Sequence, residues 1–217
     1  MRIYLVFIFL FFSKFIWASE AADTINNELS ICVEPLSILP MYSGTSVRGG
    51  IEYKLKENWS MYNELGYYIN YFKEISYPKN VKGYTTKIEL KNYRGDGIRN
   101  SGRYFSLELF LKHQNYLATD SIGIGKIKYG QVYSVSKNVG ALTFKFGRLK
   151  VYKFGLVIDS YIGVGIRLKK TNNGLTETEN ENMISSADYG PNKFTNRAGN
   201  FIYPNFSLGF RIGYRIK

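Results

Sequence analysis

A single cysteine and a single histidine in 217 residues remove much of the usual chemistry. Cys32 has no partner for an internal disulfide. His113 alone cannot build a multi-histidine metal centre, so no metal and no cofactor is expected. Acidic residues are scarce too: 17 Asp and Glu stand against 29 Lys and Arg, a formal charge of +12. Long apolar runs are limited to one, Ile3 to Phe12 near the start. Beyond residue 21 the most apolar stretch, Phe154 to Leu168, contains Asp159, Arg167 and three glycines, which excludes a spanning helix there.

What the chain has is strand-forming material: 19 Tyr, 15 Phe and 21 Gly. The end of the chain shows how it is used. Phe206, Leu208, Phe210, Ile212, Tyr214 and Ile216 alternate with Ser207, Gly209, Arg211, Gly213 and Arg215. With a period of two, every large apolar side chain falls on one face and only small or charged groups on the other. A soluble core strand has little use for two arginines and two glycines opposite six greasy residues. A wall with hydrocarbon outside and a narrow polar lumen inside needs that division. The mean hydropathy of −0.21 is compatible, because barrel strands hide apolar content in alternation.

The same period recurs in Val47, Ile51, Tyr53 and Leu55, in Phe105, Leu107, Leu109 and Leu111, and in Phe154 to Leu168. Eight strands are expected, at about 30–39, 45–56, 59–72, 84–93, 102–114, 132–147, 152–169 and 203–216. The fold class is therefore all-β, an eight-stranded antiparallel up-and-down transmembrane β-barrel. Residues Lys54 to Ile75 can also be scored as an amphipathic helix, through Trp59, Tyr62, Leu65 and Ile69. Their tyrosine pairs and Gly66 favour strand. Short inner turns are expected at 57–58, 94–101 and 148–151. Outer loops are expected at 40–44, 73–83, 115–131 and 170–202, the last being the longest and most polar.

The N-terminus reads as a secretory signal peptide over residues 1–21, with Arg2, an apolar core and a small-residue site at Ser19 to Ala21; an uncleaved anchor is the alternative. Residues 22–217 then form one domain, placed in the outer membrane and inserted by the barrel-insertion machinery. Leu29 to Cys32 superficially resembles a lipoprotein box, but Ile31 is not small, and Cys32 reads as a strand residue.

Eight strands enclose a lumen that side chains can fill. The inward set expected to form an ion-pair network is Arg48, Glu52, Glu64, Glu108, Asp159, Arg167, Arg211 and Arg215, with Tyr62, Tyr68 and Tyr161. A conducting or substrate-binding lumen is the sharper alternative. Lys73, Lys79, Lys82, Lys112, Lys126, Lys128, Lys169 and Lys170 fall on or near the expected outer loops. There they could meet phosphates of an anionic leaflet such as lipopolysaccharide, or stand as ordinary solvated lysines. A barrel in that compartment has no access to nucleic acid despite its charge. Gly123-Ile124-Gly125 and Gly163-Val164-Gly165 lack the third glycine of a phosphate loop.

No catalytic residues are assigned and no enzyme activity is expected. A lipid-modifying barrel using His113 with Ser121 and Asp120 is one alternative function. A soluble barrel holding a small apolar ligand is another, and it requires the apolar set inside.

The order of features resembles an uncharacterised family of Bacteroidetes-type outer-membrane β-barrels, a domain of unknown function. The resemblance rests on Glu34-Pro35-Leu36-Ser37, Gly49-Gly50-Ile51-Glu52-Tyr53, Gly102-Arg103-Tyr104-Phe105 and the run Gly155 to Gly165. It implies an eight-stranded barrel of undefined biochemical role, with no catalytic residues to transfer. The chain departs from many bacterial barrels at its end, which is Tyr214-Arg215-Ile216-Lys217 rather than a terminal aromatic.

Overall fold

The computed structural model describes residues 29–38, 45–56, 58–69, 79–94, 102–125, 127–184 and 196–216. The expected signal peptide lies outside them, as do Lys73 and Lys126. The strands are β1 (Leu29–Val33), β2 (Ser46–Lys56), β3 (Trp59–Tyr68), β4 (Lys79–Arg94), β5 (Gly102–Ile124), β6 (Ile127–Val151), β7 (Leu156–Asn173), β8 (Met183–Ile184) and β9 (Gly199–Ile216). A five-residue helical turn, α1 (Glu177–Glu181), precedes β8. All strands but β8 form one antiparallel ring, closed by β1 against β9 and by β4 against β5. The expected all-β antiparallel fold is the one observed.

The registers fix the stagger of the ring. From Val33 the cross-strand row passes through Gly49, Leu65, Thr86, Leu111, Gly140 and Leu168 to Ile202. Across the seam, however, Val33 faces Ile212, ten residues further along β9 than Ile202. A stagger of ten residues over eight strands tilts each strand by about 40° to the axis, given ~3.3 Å per residue and ~4.8 Å between strands.

Several boundaries differ from expectation. Within the expected loop 115–131, residues 115–124 and 127–131 are strand: β5 and β6 continue paired up to Ile124↔Ile127, with Gly125 at φ +61° after β5. Residues 148–151 are strand rather than turn, and β7 starts at Leu156. The turn lies between, where Tyr152 donates its N–H to Leu156 and Gly155 (φ +91°) donates to Tyr152. β1 ends at Val33 because Pro35 opens a 3-10 turn (Pro35–Ile38). Residues 59–68 are strand, which settles the helix alternative there.

Candidate functional site

The outside of the ring carries an apolar belt. On β9, Phe206 and Leu208 are 75% and 80% exposed, while Arg211 is fully buried. Exposed Ile31, Val47, Ile51, Leu65, Leu107, Leu109, Leu142, Phe144, Ile162 and Val164 continue the belt on other strands. Its edges are polar. Arg103 and Arg148 are cross-strand neighbours on one side; His113, Asn138, Lys170 and Asn200 form one unbroken row on the other. Arg103 and His113 are ten residues apart on β5, which spans about 26 Å along the axis after tilt.

At that second edge the alternation inverts within continuous strands. Below it, β5 points Phe105, Leu107, Leu109 and Leu111 outward and buries Tyr104, Ser106 and Glu108. Above it, Asn115, Thr119 and Ser121 point outward, and Tyr116, Ala118 and Ile122 are buried. β6 changes in the same way, from exposed Leu142 and Phe144 to exposed Ser134 and Asn138 with Tyr133 and Val135 buried. Leu117 and Val132 are the outward exceptions. Of the buried upper residues, Tyr116, Ala118, Tyr133 and Val135 join Tyr68 and Val81 in a small core, against which Leu175 and Met183 pack. The extension is thus built like a water-soluble hairpin, while the belt is built the other way round.

Inside the belt the lumen is filled by ion pairs. Arg211 of β9 sits at the centre, with Nη1 3.0 Å from Asp159 Oδ2 and Nη2 2.7 Å from Glu89 Oε2. Its guanidinium lies 4.0 Å from the centre of the Tyr62 ring. Lys91 bridges Glu52 (2.6 Å) and Asp159 (2.8 Å), Lys87 bridges Glu34 (2.8 Å) and Glu64 (3.0 Å), and Lys145 pairs with Glu108 and Glu89. Arg48 reaches Glu34 at 3.2 Å. Tyrosines complete the carboxylate shells: Tyr104 donates to Asp159 (2.6 Å), Tyr161 to Glu34 (2.6 Å) and Tyr62 to Glu64 (2.9 Å). Charges withdrawn from water survive because every carboxylate here has a cation and a hydroxyl or second cation beside it. Glycine makes the packing possible where a ring needs room. A Cβ on Gly209 would lie 2.5 Å from the Tyr161 hydroxyl and push it off Glu34.

Of the expected lumen residues, Arg48, Glu52, Glu64, Glu108, Asp159 and Arg211 come together in this plug. Arg215 is buried at the lower end and donates to Ser30 at 3.3 Å. Arg167 corrects the expectation: it faces inward above the plug, forms no ion pair among the described residues, and donates Nε and Nη2 to Asn205 at 3.0 and 2.5 Å. Five plug members went unrecognised in the sequence: Glu34, Lys87, Glu89, Lys91 and Lys145.

The lysines divide. Lys82, Lys128 and Lys170 are exposed on the outer surface. Lys112 and Lys169 do not reach the rim, because their positions on β5 and β7 share the inward face with Glu108 and Asp159. Lys79 lies at the start of β4.

His113 is not at a strand end and meets neither Ser121 nor Asp120. Its ring nitrogens lie 2.7 Å from Asn138 Oδ1 and 3.0 Å from Asn115 Nδ2. Ser121 is eight residues up the same strand, about 27 Å away. Asp120 turns inward to Tyr133 (2.5 Å) and Asn196 (3.0 Å). That triad is not assembled. Among the described residues no group of His, Cys, Asp and Glu is placed to hold a metal ion.

No family model, curated protein or solved structure matches the chain.

Proposed function

We infer that this chain is a small outer-membrane β-barrel with a plugged polar lumen, acting in membrane architecture or in external contacts through the part that projects beyond the belt. The inversion of the alternation within β5 and β6 carries the reading. One strand cannot expose Leu107 and Leu109 and then, a few residues on, bury Tyr116 and Ala118, unless its surroundings change from apolar to aqueous. The belt height of about 26 Å supports the same reading, since membrane barrels carry an outward apolar band roughly 25 Å tall. The polar row from His113 to Asn200 falls at the headgroup level, with Tyr67 and Tyr84 exposed beside it as interfacial aromatics. Lys82 and Lys170 are then available to the phosphates of lipopolysaccharide, whereas Lys128, opposite Gly123 near the hairpin tip, lies well beyond them.

Secretion by the N-terminal signal, assembly by the insertion machinery and kinship with the Bacteroidetes-type barrels belong to this proposal. A soluble carrier of an apolar ligand is disfavoured because the apolar side chains point outward. The plug supports a lumen closed to solutes. The test is membrane fractionation with heat-modifiable gel mobility, followed by planar-bilayer recording. The proposal expects a membrane-bound, heat-modifiable species without discrete conductance steps; a wholly soluble protein whose mobility ignores heating overturns it.

A further inference from the structure

A groove of about 470 Å³ opens on the outer face just above the belt, lined by Lys82, Asn115, Leu117, Ser134, Ser136 and Asn172. All six occupy outward positions on β4 to β7. Lys82, Asn115, Ser136 and Asn172 form one unbroken cross-strand row. That row lies two residues beyond the polar row of His113, Asn138 and Lys170, about 5 Å further along the axis after tilt. The hollow has a local cause. β4 breaks register between Lys79 and Lys82, with Asn80 at φ +55°, and such a bulge bends the strand. Asn80 bounds the groove at that end. At the β7 end Gly174 bounds it, donating its N–H to Ser134 O at 3.0 Å.

Among the described residues no carboxylate lines the groove, and no side-chain hydrogen bond occupies Lys82, Ser134, Ser136 or Asn172. Asn115 is fixed through its Nδ2, 3.0 Å from His113 Nε2, which leaves its Oδ1 as an acceptor. The row thus presents an ammonium, an amide, a hydroxyl and an amide, ~4.8 Å apart and ~14 Å from end to end. Neutral donors and acceptors in series match a ligand with many hydroxyls, and one cation matches an anionic substituent on it. Leu117, 40% exposed among polar neighbours, supplies an apolar wall for the C–H faces of such a ligand. Beneath the groove the outward positions of β6 continue through Asn138 to Gly140. Leu111 and Leu168 flank Gly140 in one cross-strand row, and a Cβ there would meet only Leu111 Cδ2, at 3.7 Å. The belt therefore has a gap directly below the groove.

We propose that this groove binds the headgroup of a phosphorylated glycolipid, with its sugar on Asn115, Ser136 and Asn172, its phosphate on Lys82 and an acyl chain over Gly140. The site rests on the membrane placement inferred above, which sets the groove in the headgroup layer and Gly140 in hydrocarbon. Its lining is mainly neutral, so recognition goes beyond attraction of phosphate to lysine. The occupant is a lipid because the groove faces the outside of the ring and runs on into the gap in the belt.

The experiment is native mass spectrometry of the detergent-folded full chain titrated with lipid A, an acylated and phosphorylated disaccharide. Phosphatidylglycerol, anionic but without a sugar, is titrated in parallel. Ser136→Val and Asn172→Leu remove neutral groups of the groove, and Lys128→Gln alters the distant hairpin tip. Each chain is first checked for heat-modifiable mobility. A parent that fails this check contradicts the membrane placement itself; a parent that passes leaves the site to be judged alone. One lipid A per barrel is expected, bound at least fivefold more weakly by Ser136→Val and Asn172→Leu and within twofold of the parent by Lys128→Gln. Phosphatidylglycerol should bind more weakly than lipid A and stay within twofold across all variants. Should Asn172→Leu lose the compact band, Asn172→Ala takes its place with the same expected loss. Equal binding of the two lipids, unchanged lipid A binding in the groove variants, or displacement of lipid A by an equal concentration of soluble glucosamine 1-phosphate overturns the proposal.

Discussion

Asp159 of β7 and Arg211 of β9 are direct cross-strand partners, and their side chains meet inside the ring with Nη1 3.0 Å from Oδ2. The same guanidinium reaches Glu89 on β4, across the lumen. One residue of the last strand thus ties together walls that are distant in sequence. Arg211→Ala leaves Asp159 and Glu89 short of a cation in a dry interior. The expected cost is about 3–5 kcal/mol, read as a shift in the urea unfolding midpoint of the folded barrel. A change below about 1 kcal/mol would mean that the plug is dispensable.

The seam between β1 and β9 has its own weak point. A Cβ on Gly213 would lie 2.5 Å from Cys32 Sγ and 2.9 Å from its Cα, and would press on the Ile31 carbonyl. Backbone cannot yield as a flexible side-chain end can. Gly213→Ala is expected to lose about 1–3 kcal/mol and to slow appearance of the compact gel band. Gly130→Ala, with nothing within 4 Å, serves as the control and should stay within about 0.5 kcal/mol of the parent.

The outer segment carries a pH-dependent contact. Thr176 donates its backbone N–H and hydroxyl to Glu179 at 2.9 and 2.8 Å, closing a capping box on α1. The backbone donor first, then the hydroxyl, holds the Glu179 carboxyl below the ordinary carboxylate range. A lowered folded-state value means that the contribution is complete above the unfolded value of roughly 4.3 and is lost as pH falls through the folded one. Exchange protection of the Asn180 and Asn182 amides should therefore fall on acidification. Glu179→Gln should show reduced protection already at neutral pH; full protection in that variant would discount the carboxylate.

Lys82 and Lys170 face outward near the polar row that bounds the belt. Replacing both with Gln is expected to lower retained lipopolysaccharide severalfold and to flatten its dependence on salt. The measurement is co-purified lipid phosphate per barrel. Unchanged retention would assign these lysines to ordinary solvation.

How much of this was legible depends on which solvent each segment meets. Inside the belt, large apolar residues recur at every second position, so β9 and the lower halves of β5 and β7 could be read directly from Phe206 to Ile216, Phe105 to Leu111 and Ile162 to Leu168. Above the belt the rule reverses, and a search for greasy outward positions passes over Asn115, Thr119 and Ser121 as loop. The buried Tyr116, Ala118 and Ile122 were the available signal for the extension, in the opposite phase. β4 hid its plug residues differently: Lys87, Glu89 and Lys91 alternate with Thr86, Ile88, Leu90 and Asn92, whose polar members blur the outward face. Which carboxylate meets which cation could not be read at all, because the pairs join strands by ring closure rather than by sequence spacing. Glu34 and Lys87, 53 positions apart, are one such pair.

The outward face of β9 gives the most direct test. A full-length chain with Trp17 and Trp59 replaced by Phe and Leu208 replaced by Trp carries one fluorophore at the middle of the belt. Reconstituted into vesicles of lipids brominated on their acyl chains, its emission should be strongly quenched and should resist aqueous iodide. Emission untouched by bromine and quenched by iodide would place Leu208 in water and contradict the account.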